Sequence, residues 1–231
     1  NTGYLVVVSL LAILCASHLA ITLVNWLATL FIQPRLLPRM NFENGIDAPY
    51  RTLVVIPTML THAENLEELV EAIEVQYLAN KDEFLHFGLL TDFTDAATEI
   101  TTDDEPLLQL AIQKIAALNE KYIRTDSDVF YLFHRPRKWN KQDQLWMGYE
   151  RKRGKLTELN ALLRGEADGA FSHVIGSTAI FGEIRYVITI DSDTNLPRDA
   201  GRKIVATMAH PLNRAFYDEK KQRVTDGYGI L

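Results

Sequence analysis

An uncharged apolar run at the start of the chain constrains its fold more than any other feature. From Gly3 to Ile32 no residue carries a fixed charge, and most positions are Leu, Val, Ile or Ala. A helix rises about 1.5 Å per residue, so this run reaches roughly 45 Å, which exceeds a hydrocarbon core of about 30 Å. The first residues, Asn1 to Tyr4, lack the basic start of a signal peptide. We therefore predict a transmembrane helix over residues 1–32.

The residues after this run indicate its orientation. Trp26 lies near the end of the run, where an interfacial anchor is expected, and Arg35 and Arg39 follow it. The positive-inside rule then predicts that the chain from residue 33 onward lies in the cytoplasm. Because the chain begins with Asn rather than Met, the helix fits an internal segment of a larger membrane protein. Residues 33–50 contain three prolines and one glycine, a composition that predicts a linker.

Charge narrows the class of ligand, and cysteine content indicates the redox compartment. The 231 residues carry a formal net charge of −6, which provides no basic footprint for nucleic acid. Basic residues cluster locally, within 134–141 and 151–155. Compact basic patches in an acidic chain suit a small anionic ligand. Cys15 is the only cysteine, so the chain has no internal disulfide, as expected in a reducing compartment.

Beyond residue 50, apolar runs typical of strands alternate with helical periodicity. Strands buried on both faces are continuous apolar runs, whereas helices repeat their apolar residues every three or four positions. The predicted strands cover 51–57, 85–90, 128–134 and 185–190, the predicted helices cover 61–80, 105–122, 156–164 and 199–210, and 135–154 is predicted to be a long ordered loop. The alternation predicts an α/β domain over 51–231 with a mostly parallel sheet, whose ligands bind beyond the carboxyl ends of the strands.

Two carboxylates follow the last predicted strand. Asp191 and Asp193 come at the end of the run YVITIDSD, where the strand breaks into a turn and both side chains can face one point. Aspartate oxygens are hard ligands that suit Mg²⁺ or Mn²⁺, and such an ion would neutralise a diphosphate. The alternative is an ordinary Asp/Ser turn or a helix N-cap, because a helical segment follows.

Two further strand ends carry polar residues. Thr58 follows the first strand, and Asp92 and Asp95 follow the second. A carboxylate at such a position could accept hydrogen bonds from a base or a ribose, although a capped turn explains these residues equally well. Lys155 follows Gly154 at the start of a predicted helix, where a diphosphate could bind, with a solvated charged face as the alternative.

Several catalytic classes lack their motifs. The chain has no GxSxG, no P-loop and no GxGxxG sequence, which argues against serine hydrolases, P-loop nucleotidases and dinucleotide-dependent dehydrogenases. The histidines are scattered without an H-x₃-H pair and are predicted to be ordinary polar positions.

The motifs, taken in order, resemble a known family. The strings VVIPT, LLTDFTD, GKLTELN and ITIDSDT follow the order of the first strand, the uridine-side Asp, the Gly-Lys segment and the DxD motif of family-2-type GT-A glycosyltransferases. Longer strings, FYLFHRPRKWN, WMGYERKRGKLTELNALLRG, YVITIDSDTNLPRDA, MAHPLNRA and VTDGYGIL, closely resemble the glycosyltransferase region of cyclic β-1,2-glucan synthases. The resemblance covers roughly residues 50 to 231.

This resemblance implies a fold and an activity. The fold would be a GT-A domain, Rossmann-like and incomplete at its C-terminus, preceded by the membrane helix. The enzyme would be an inverting glycosyltransferase of the bacterial inner membrane, with its GT-A domain facing the cytoplasm. It would polymerise glucose from UDP-glucose into β-1,2-glucan, on a growing chain that is itself linked to protein. This chain would hold the donor and metal half of a larger multidomain synthase.

The resemblance also implies roles for particular residues. Thr58 and Asp92 would contact the uridine, Lys155 the diphosphate, and Asp191 and Asp193 the diphosphate and a Mg²⁺ or Mn²⁺ ion. Related synthases often carry an acid three residues after the strand-end Thr, whereas in this chain the nearest acid, Glu64, is six residues away.

Other assignments stay open. The general base is expected beyond Leu231, and the alternative within the chain, Asp226, lies beside Gly227 and is better explained as a polar turn. One alternative function is another processive β-glycan synthase, of the cellulose or hyaluronan kind. A second is a non-catalytic nucleotide-sugar-binding membrane module.

Overall fold

The computed structural model describes residues 1–32, 36–166 and 169–231, which form two compact units, Asn1–Leu37 and Pro38–Leu231. The first unit is dominated by α1, Thr2–Phe31, in which no residue is buried. By length and composition α1 is a candidate membrane span, as predicted. Arg35, which contributes to the predicted orientation, lies outside the described residues.

The second unit alternates strands and helices. In chain order its elements are β1 (Thr52–Leu60), α2 (Ala63–Ala79), β2 (Leu85–Phe93), α3 (Asp104–Lys121), β3 (Phe130–His134), β4 (Lys138–Asn140), β5 (Leu145–Met147), α4 (Arg151–Leu163), β6 (His173–Ile175), β7 (Tyr186–Thr189), α5 (Ala200–Ala209), β8 (Phe216–Asp218) and β9 (Arg223–Asp226). Short 3₁₀ turns occur at Ala48–Tyr50, Thr178–Glu183 and Pro211–Asn213.

The main sheet has five strands in the order β6-β3-β2-β1-β7. The pairs β3–β2, β2–β1 and β1–β7 are parallel, and β6 joins the β3 edge antiparallel. This mostly parallel α/β sheet confirms the predicted fold class. Because β1 lies inside the sheet, its carboxyl end is flanked by the carboxyl ends of β2 and β7, which places three strand ends at one edge.

Both faces of the sheet are covered, which explains the continuous apolar runs. Val54 and Ile56 of β1 belong to the larger core cluster, shared with α2, α3 and α5. Leu53 and Val55 face the opposite way, into a smaller cluster with Leu159 of α4. A strand whose alternate residues are buried on opposite faces cannot show a polar/apolar alternation.

The predicted long loop over 135–154 is wrong in part. It contains the antiparallel hairpin β4–β5, in which Trp139 pairs with Trp146 at a ring-centroid distance of 5.8 Å, and it ends with the first turn of α4. Aromatic cross-strand pairs stabilise strands that are too short to show a period. The sequence prediction also lacks β6, β8 and β9, which have three or four residues each.

Most of the predicted linker, residues 38–50, is part of the second unit and packs against the rest of it. Phe42 and Ile46 are buried. Met40 N donates to Ala206 O at 2.9 Å, and Ile46 N donates to Asp82 Oδ2 at 2.9 Å. Residues 38–50 thus form an ordered strap, largely without helix or strand, along the domain.

Candidate functional site

Three strand ends and one helix meet at the carboxyl edge of the sheet. β1 ends at Leu60, β2 runs through Asp92 to Phe93, and β7 leads into Asp191. The amino-terminal half of α4 carries the basic residues that lie against these ends. Sites for ligands in open parallel sheets form in this position.

Asp92 lies at the centre of a buried group of charges, the Asp92 cluster, formed with Arg135 and Lys155. Its Oδ2 accepts a hydrogen bond from Arg135 Nη2 at 3.0 Å, and Lys155 Nζ lies 2.7 Å from its Oδ1. The three side chains are between 2% and 4% exposed. Burial lowers the pKa of the Lys155 ammonium, and the Asp92 carboxylate opposes that shift.

Lys155 is also tied to the first strand. Its Nζ donates to the backbone carbonyl of Thr58, so one ammonium joins the ends of β1 and β2. The structure therefore brings Thr58, Asp92 and Lys155 together, as expected for residues of one site. It also directs the Lys155 ammonium to protein oxygens rather than to solvent.

Sequence reasoning gave no role to Arg135 of this cluster or to Gly148, which packs against it. Arg135 donates to Glu158 Oε2 at 2.9 Å and to Tyr149 O at 3.2 Å as well as to Asp92. Gly148 packs directly on the carboxylate, since a Cβ there would lie 1.9 Å from Asp92 Oδ2. Only glycine allows this approach without displacing Asp92.

The second acidic feature is an exposed turn over residues 191–194, the acidic turn. Thr194 N donates to Asp191 O at 3.0 Å, which closes the turn. Lys152 Nζ lies 2.5 Å from Asp191 Oδ1, and the two side chains are 49% and 61% exposed. The carboxylate of Asp193 is exposed and accepts a long hydrogen bond, 3.4 Å, from Thr194 Oγ1.

The donor set of the acidic turn suits a divalent ion that brings other ligands with it. Within the described residues no group of three or more His, Cys, Asp or Glu could enclose a metal. Two aspartates would supply two oxygen ligands, which fits Mg²⁺ or Mn²⁺, because these ions commonly take their remaining ligands from phosphate and water. Asp191 and Asp193 are thus compatible with the predicted metal site.

The amino-terminal half of α4 connects all these parts. Arg151 Nη2 lies 2.5 Å from Asp95 Oδ2, Lys152 contacts Asp191, and Lys155 contacts Asp92. The basic run 151–155, noted in the sequence as a local patch, is therefore paired with three acids from two different strand ends.

Two histidines lie in the core, so the prediction that all are ordinary polar positions is wrong for them. His86 is held between Arg51 Nη1 at 3.0 Å and Asp128 O at 2.8 Å, and His134 Nδ1 lies 2.9 Å from Thr91 Oγ1. Burial lowers the pKa of each imidazole to about 3, because the charged form would lose its hydration. Both histidines are therefore neutral structural groups.

The fold and site together define an α/β domain that gathers cations and carboxylates at the carboxyl edge of a parallel sheet. No protein-family profile matches the chain. The chain is 40% identical over 230 residues to the cyclic β-(1,2)-glucan synthase NdvB of Rhizobium meliloti (strain 1021), a match that covers 100% of this chain and 8% of that protein. This chain therefore matches, along its whole length, a region of that cyclic β-(1,2)-glucan synthase, which confirms the resemblance seen in its motifs.

Proposed function

We propose that this chain is the donor- and metal-binding part of a membrane-bound, inverting glycosyltransferase that polymerises glucose from UDP-glucose into β-1,2-glucan. The observation that carries the proposal is the 40% identity to a glucan synthase along the whole chain. The chain spans only 8% of that relative's length, and in this proposal we assign the acceptor, product and export steps to the larger protein. The grouping of strand-end residues around α4 supports a binding site within this part.

In this proposal the site has a uridine side and a diphosphate side. Thr58, which is partly exposed, and Asp92 form the uridine side. Because both oxygens of Asp92 face cations, a base or ribose group that reaches it must compete with Lys155 as a donor. Lys155, together with the acidic turn, forms the diphosphate side.

The acidic turn is the proposed site for the metal ion and the charge of the diphosphate. Asp191 and Asp193 would hold a Mg²⁺ or Mn²⁺ ion, which neutralises charge on the departing diphosphate. Lys152 contacts this turn, and Arg151 precedes Lys152 on α4. Both are exposed cations, and the Arg151 guanidinium and the Lys152 ammonium can turn from their acid partners to phosphate oxygens. An inverting transfer also requires a base that deprotonates the acceptor hydroxyl, and we assign that role to no residue here.

Membrane attachment and location are part of the same proposal. The length and apolar composition of α1 suit a membrane anchor. We assign the enzyme to the bacterial inner membrane with the second unit in the cytoplasm, where a nucleotide sugar is available. The remaining partners would be the growing glucan chain, linked to protein, and the rest of the synthase.

The test is a titration of UDP into the full-length protein in detergent, with and without Mn²⁺. We expect Mn²⁺ to strengthen UDP binding, and Asp191→Asn or Asp193→Asn to abolish that gain. Asp103→Asn, an exposed aspartate before α3, is the matched control and should behave as wild type. Unchanged Mn²⁺ dependence in both acidic-turn variants would contradict the metal assignment.

Turnover separates the remaining alternatives. The full-length protein with UDP-[¹⁴C]glucose should release UDP and form β-1,2-linked glucan. A product with a different linkage would identify another processive β-glycan synthase. UDP binding without donor turnover would identify a non-catalytic nucleotide-sugar-binding membrane module.

A further inference from the structure

Two buried amides interrupt the apolar face of α2. Gln76 and Asn80 are 2% and 3% exposed, and they continue the buried stripe that includes Leu69 and Ile73. Gln76 lies in the last turn of α2, and Asn80, four residues later, caps the carboxyl end of the helix. A buried amide without a hydrogen-bond partner would destabilise the fold, because it loses its hydration and gains nothing in return. The amides must therefore be paired, and their partners indicate what they do.

Gln76 makes three side-chain hydrogen bonds to residues 194–196, the last residue of the acidic turn and the two that follow it. Its Nε2 donates to Thr194 O at 3.1 Å and to Asn195 Oδ1 at 3.2 Å, and its Oε1 accepts from Leu196 N at 2.8 Å. Because Leu196 N–H can only donate, the orientation of the amide is fixed by its surroundings.

Asn80 also binds this segment, and it connects the segment to the first turn of α5. Its Nδ2 donates to Leu196 O at 3.2 Å, and its Oδ1 accepts from Gly201 N, in the first turn of α5, at 2.9 Å. The N–H and the C=O of Leu196 are therefore both bound by side chains at the carboxyl end of α2, from Gln76 in its last turn and from Asn80 at its C-cap. We call Gln76 and Asn80 the α2 clamp.

The clamp and the sheet fix the acidic turn at its two ends. Before the turn, Ile190 N donates to Val55 O at 3.1 Å, which ties the chain to β1. At the end of the turn and just beyond it, the clamp binds residues 194–196. An apolar side chain at either clamp position would fill the space but would leave polar backbone groups of residues 194–196 without these partners and without a fixed direction. What the amides add is a fixed path for the residues next to Asp191 and Asp193.

We propose that Gln76 and Asn80 are positioning residues that set the spacing of the Asp191 and Asp193 carboxylates for a divalent ion and a diphosphate. The inference rests on the proposed metal-binding function of the acidic turn. Neither amide touches the ion or the substrate, so each acts through the backbone of residues 194–196. Hydrogen-bond partners behind a metal ligand tune affinity because they hold the ligand in the productive orientation.

The chain offers a matched control for this test. Asn119 of α3 also holds a neighbouring backbone through its amide, donating to Phe130 O and accepting from Phe130 N, both at 2.8 Å. Its bonds end on β3, on the other side of β2 and β1 from the acidic turn. Asn119→Leu should therefore destabilise the fold as Gln76→Met does, without changing the acidic turn.

The experiment measures Mn²⁺ binding by electron paramagnetic resonance in the full-length protein, saturated with UDP. We expect Gln76→Met to weaken Mn²⁺ binding about tenfold or more. Its UDP affinity without metal should be unchanged, and Asn119→Leu should bind Mn²⁺ as wild type does. If Gln76→Met fails to fold, Gln76→Glu keeps the acceptor for Leu196 N and loses the donor to Thr194 O. That variant should weaken Mn²⁺ binding as well.

Hydrogen exchange separates the failure of this inference from that of the proposed function. Amide exchange at 191–196 should accelerate in Gln76→Met and not in Asn119→Leu, whether or not metal is bound. If the wild-type protein binds no Mn²⁺ while exchange is faster in Gln76→Met, the clamp orders residues 191–196 but the proposed metal site is absent. The role of the clamp in metal binding then falls with the proposed function. Normal Mn²⁺ affinity in Gln76→Met and Gln76→Glu, in a protein whose wild type binds the ion, would overturn the inference alone.

Discussion

The two acidic features at the carboxyl edge of the sheet differ in their relation to water. Asp92 is buried, and its carboxylate is shared between Arg135 and Lys155. Asp191 is largely exposed, and one of its oxygens contacts the exposed ammonium of Lys152. Both features pair an aspartate with the same helix, α4, at the ends of the two strands that flank β1. Their chemistry is similar, and their surroundings are opposite.

This difference separates a charged group that is fixed within the fold from one that is free to exchange partners. A buried ion pair that loses one partner leaves an uncompensated charge in a medium of low polarity, so such a group is held tightly in place. An exposed pair contributes little, because water already solvates both ions. The Asp92 cluster therefore sets the positions of β1, β2 and α4, whereas the acidic turn keeps oxygens free to exchange partners.

The largest expected effect comes from Arg135→Leu. The substitution leaves Asp92 with Lys155 as its remaining partner, and we expect it to lower the free energy of unfolding by about 3–5 kcal/mol. Urea unfolding followed by tryptophan fluorescence measures this change. The control is Arg153→Leu, which breaks an exposed pair with Glu150 and should leave the midpoint nearly unchanged. Equal effects of the two variants would remove the distinction between buried and exposed pairs.

A smaller effect is expected from Gly148→Ala, which tests the packing of the same cluster. The added Cβ would lie 1.9 Å from Asp92 Oδ2, so either the carboxylate or the β5–α4 connection must move. We expect a loss of about 1–3 kcal/mol, as for other overpacked interiors. Gly182→Ala is the control, because a Cβ there meets no atom within 4 Å. A neutral Gly148→Ala would mean that the cluster tolerates displacement.

The buried imidazole of His134 makes the free energy of unfolding depend on pH. Burial lowers its pKa from 6.5 to about 3, so below pH 6.5 the unfolded chain binds a proton that the folded protein does not. Stability contributed by the neutral ring is complete above pH 6.5 and is lost as pH falls toward 3, with a slope of about 1.4 kcal/mol per pH unit.

His134→Asn removes this titration while keeping a donor near Thr91 Oγ1. We expect the free energy of unfolding of this variant to fall less steeply between pH 6 and 4 than that of wild type. The control for the substitution itself is His62→Asn, which keeps a capping residue for α2 at Asn65 N and should leave the free energy of unfolding nearly unchanged. An unchanged slope in His134→Asn would show that this imidazole is not kept neutral by burial.

The sequence predicted the elements whose signals are local. The apolar runs of β1, β2 and β7 were recognisable because both faces of the sheet are covered, and their ends pointed to Thr58, Asp92 and Asp191. The prediction failed for the β4–β5 hairpin, whose strands have three residues each and lie among charges. A period cannot appear in three residues, so such strands depend on the pairing of Trp139 with Trp146.

The partners of the site residues were beyond sequence reasoning because they are distant in the chain. Arg135 lies 43 positions from Asp92, and Gln76 lies 120 positions from Leu196. A signal for the second pair did exist, since a Gln and an Asn continue an apolar stripe on α2. A polar residue at a buried helical position implies a partner, but only the fold identifies which one.

The smallest expected effect comes from Lys152→Ala and tests the exposed side. Lys152 competes with a divalent ion for Asp191 Oδ1, so its removal should raise the affinity for Mn²⁺ in the absence of nucleotide, by about two- to fivefold, the range for an exposed ion pair. The free energy of unfolding should hardly change. Lys114→Ala breaks an exposed pair with Glu67, 2.9 Å apart, on α3 and α2, and should leave Mn²⁺ affinity unaltered. If Lys152→Ala instead weakens Mn²⁺ binding, Asp191 depends on its lysine as Asp92 does, and the contrast between the two acidic features does not hold.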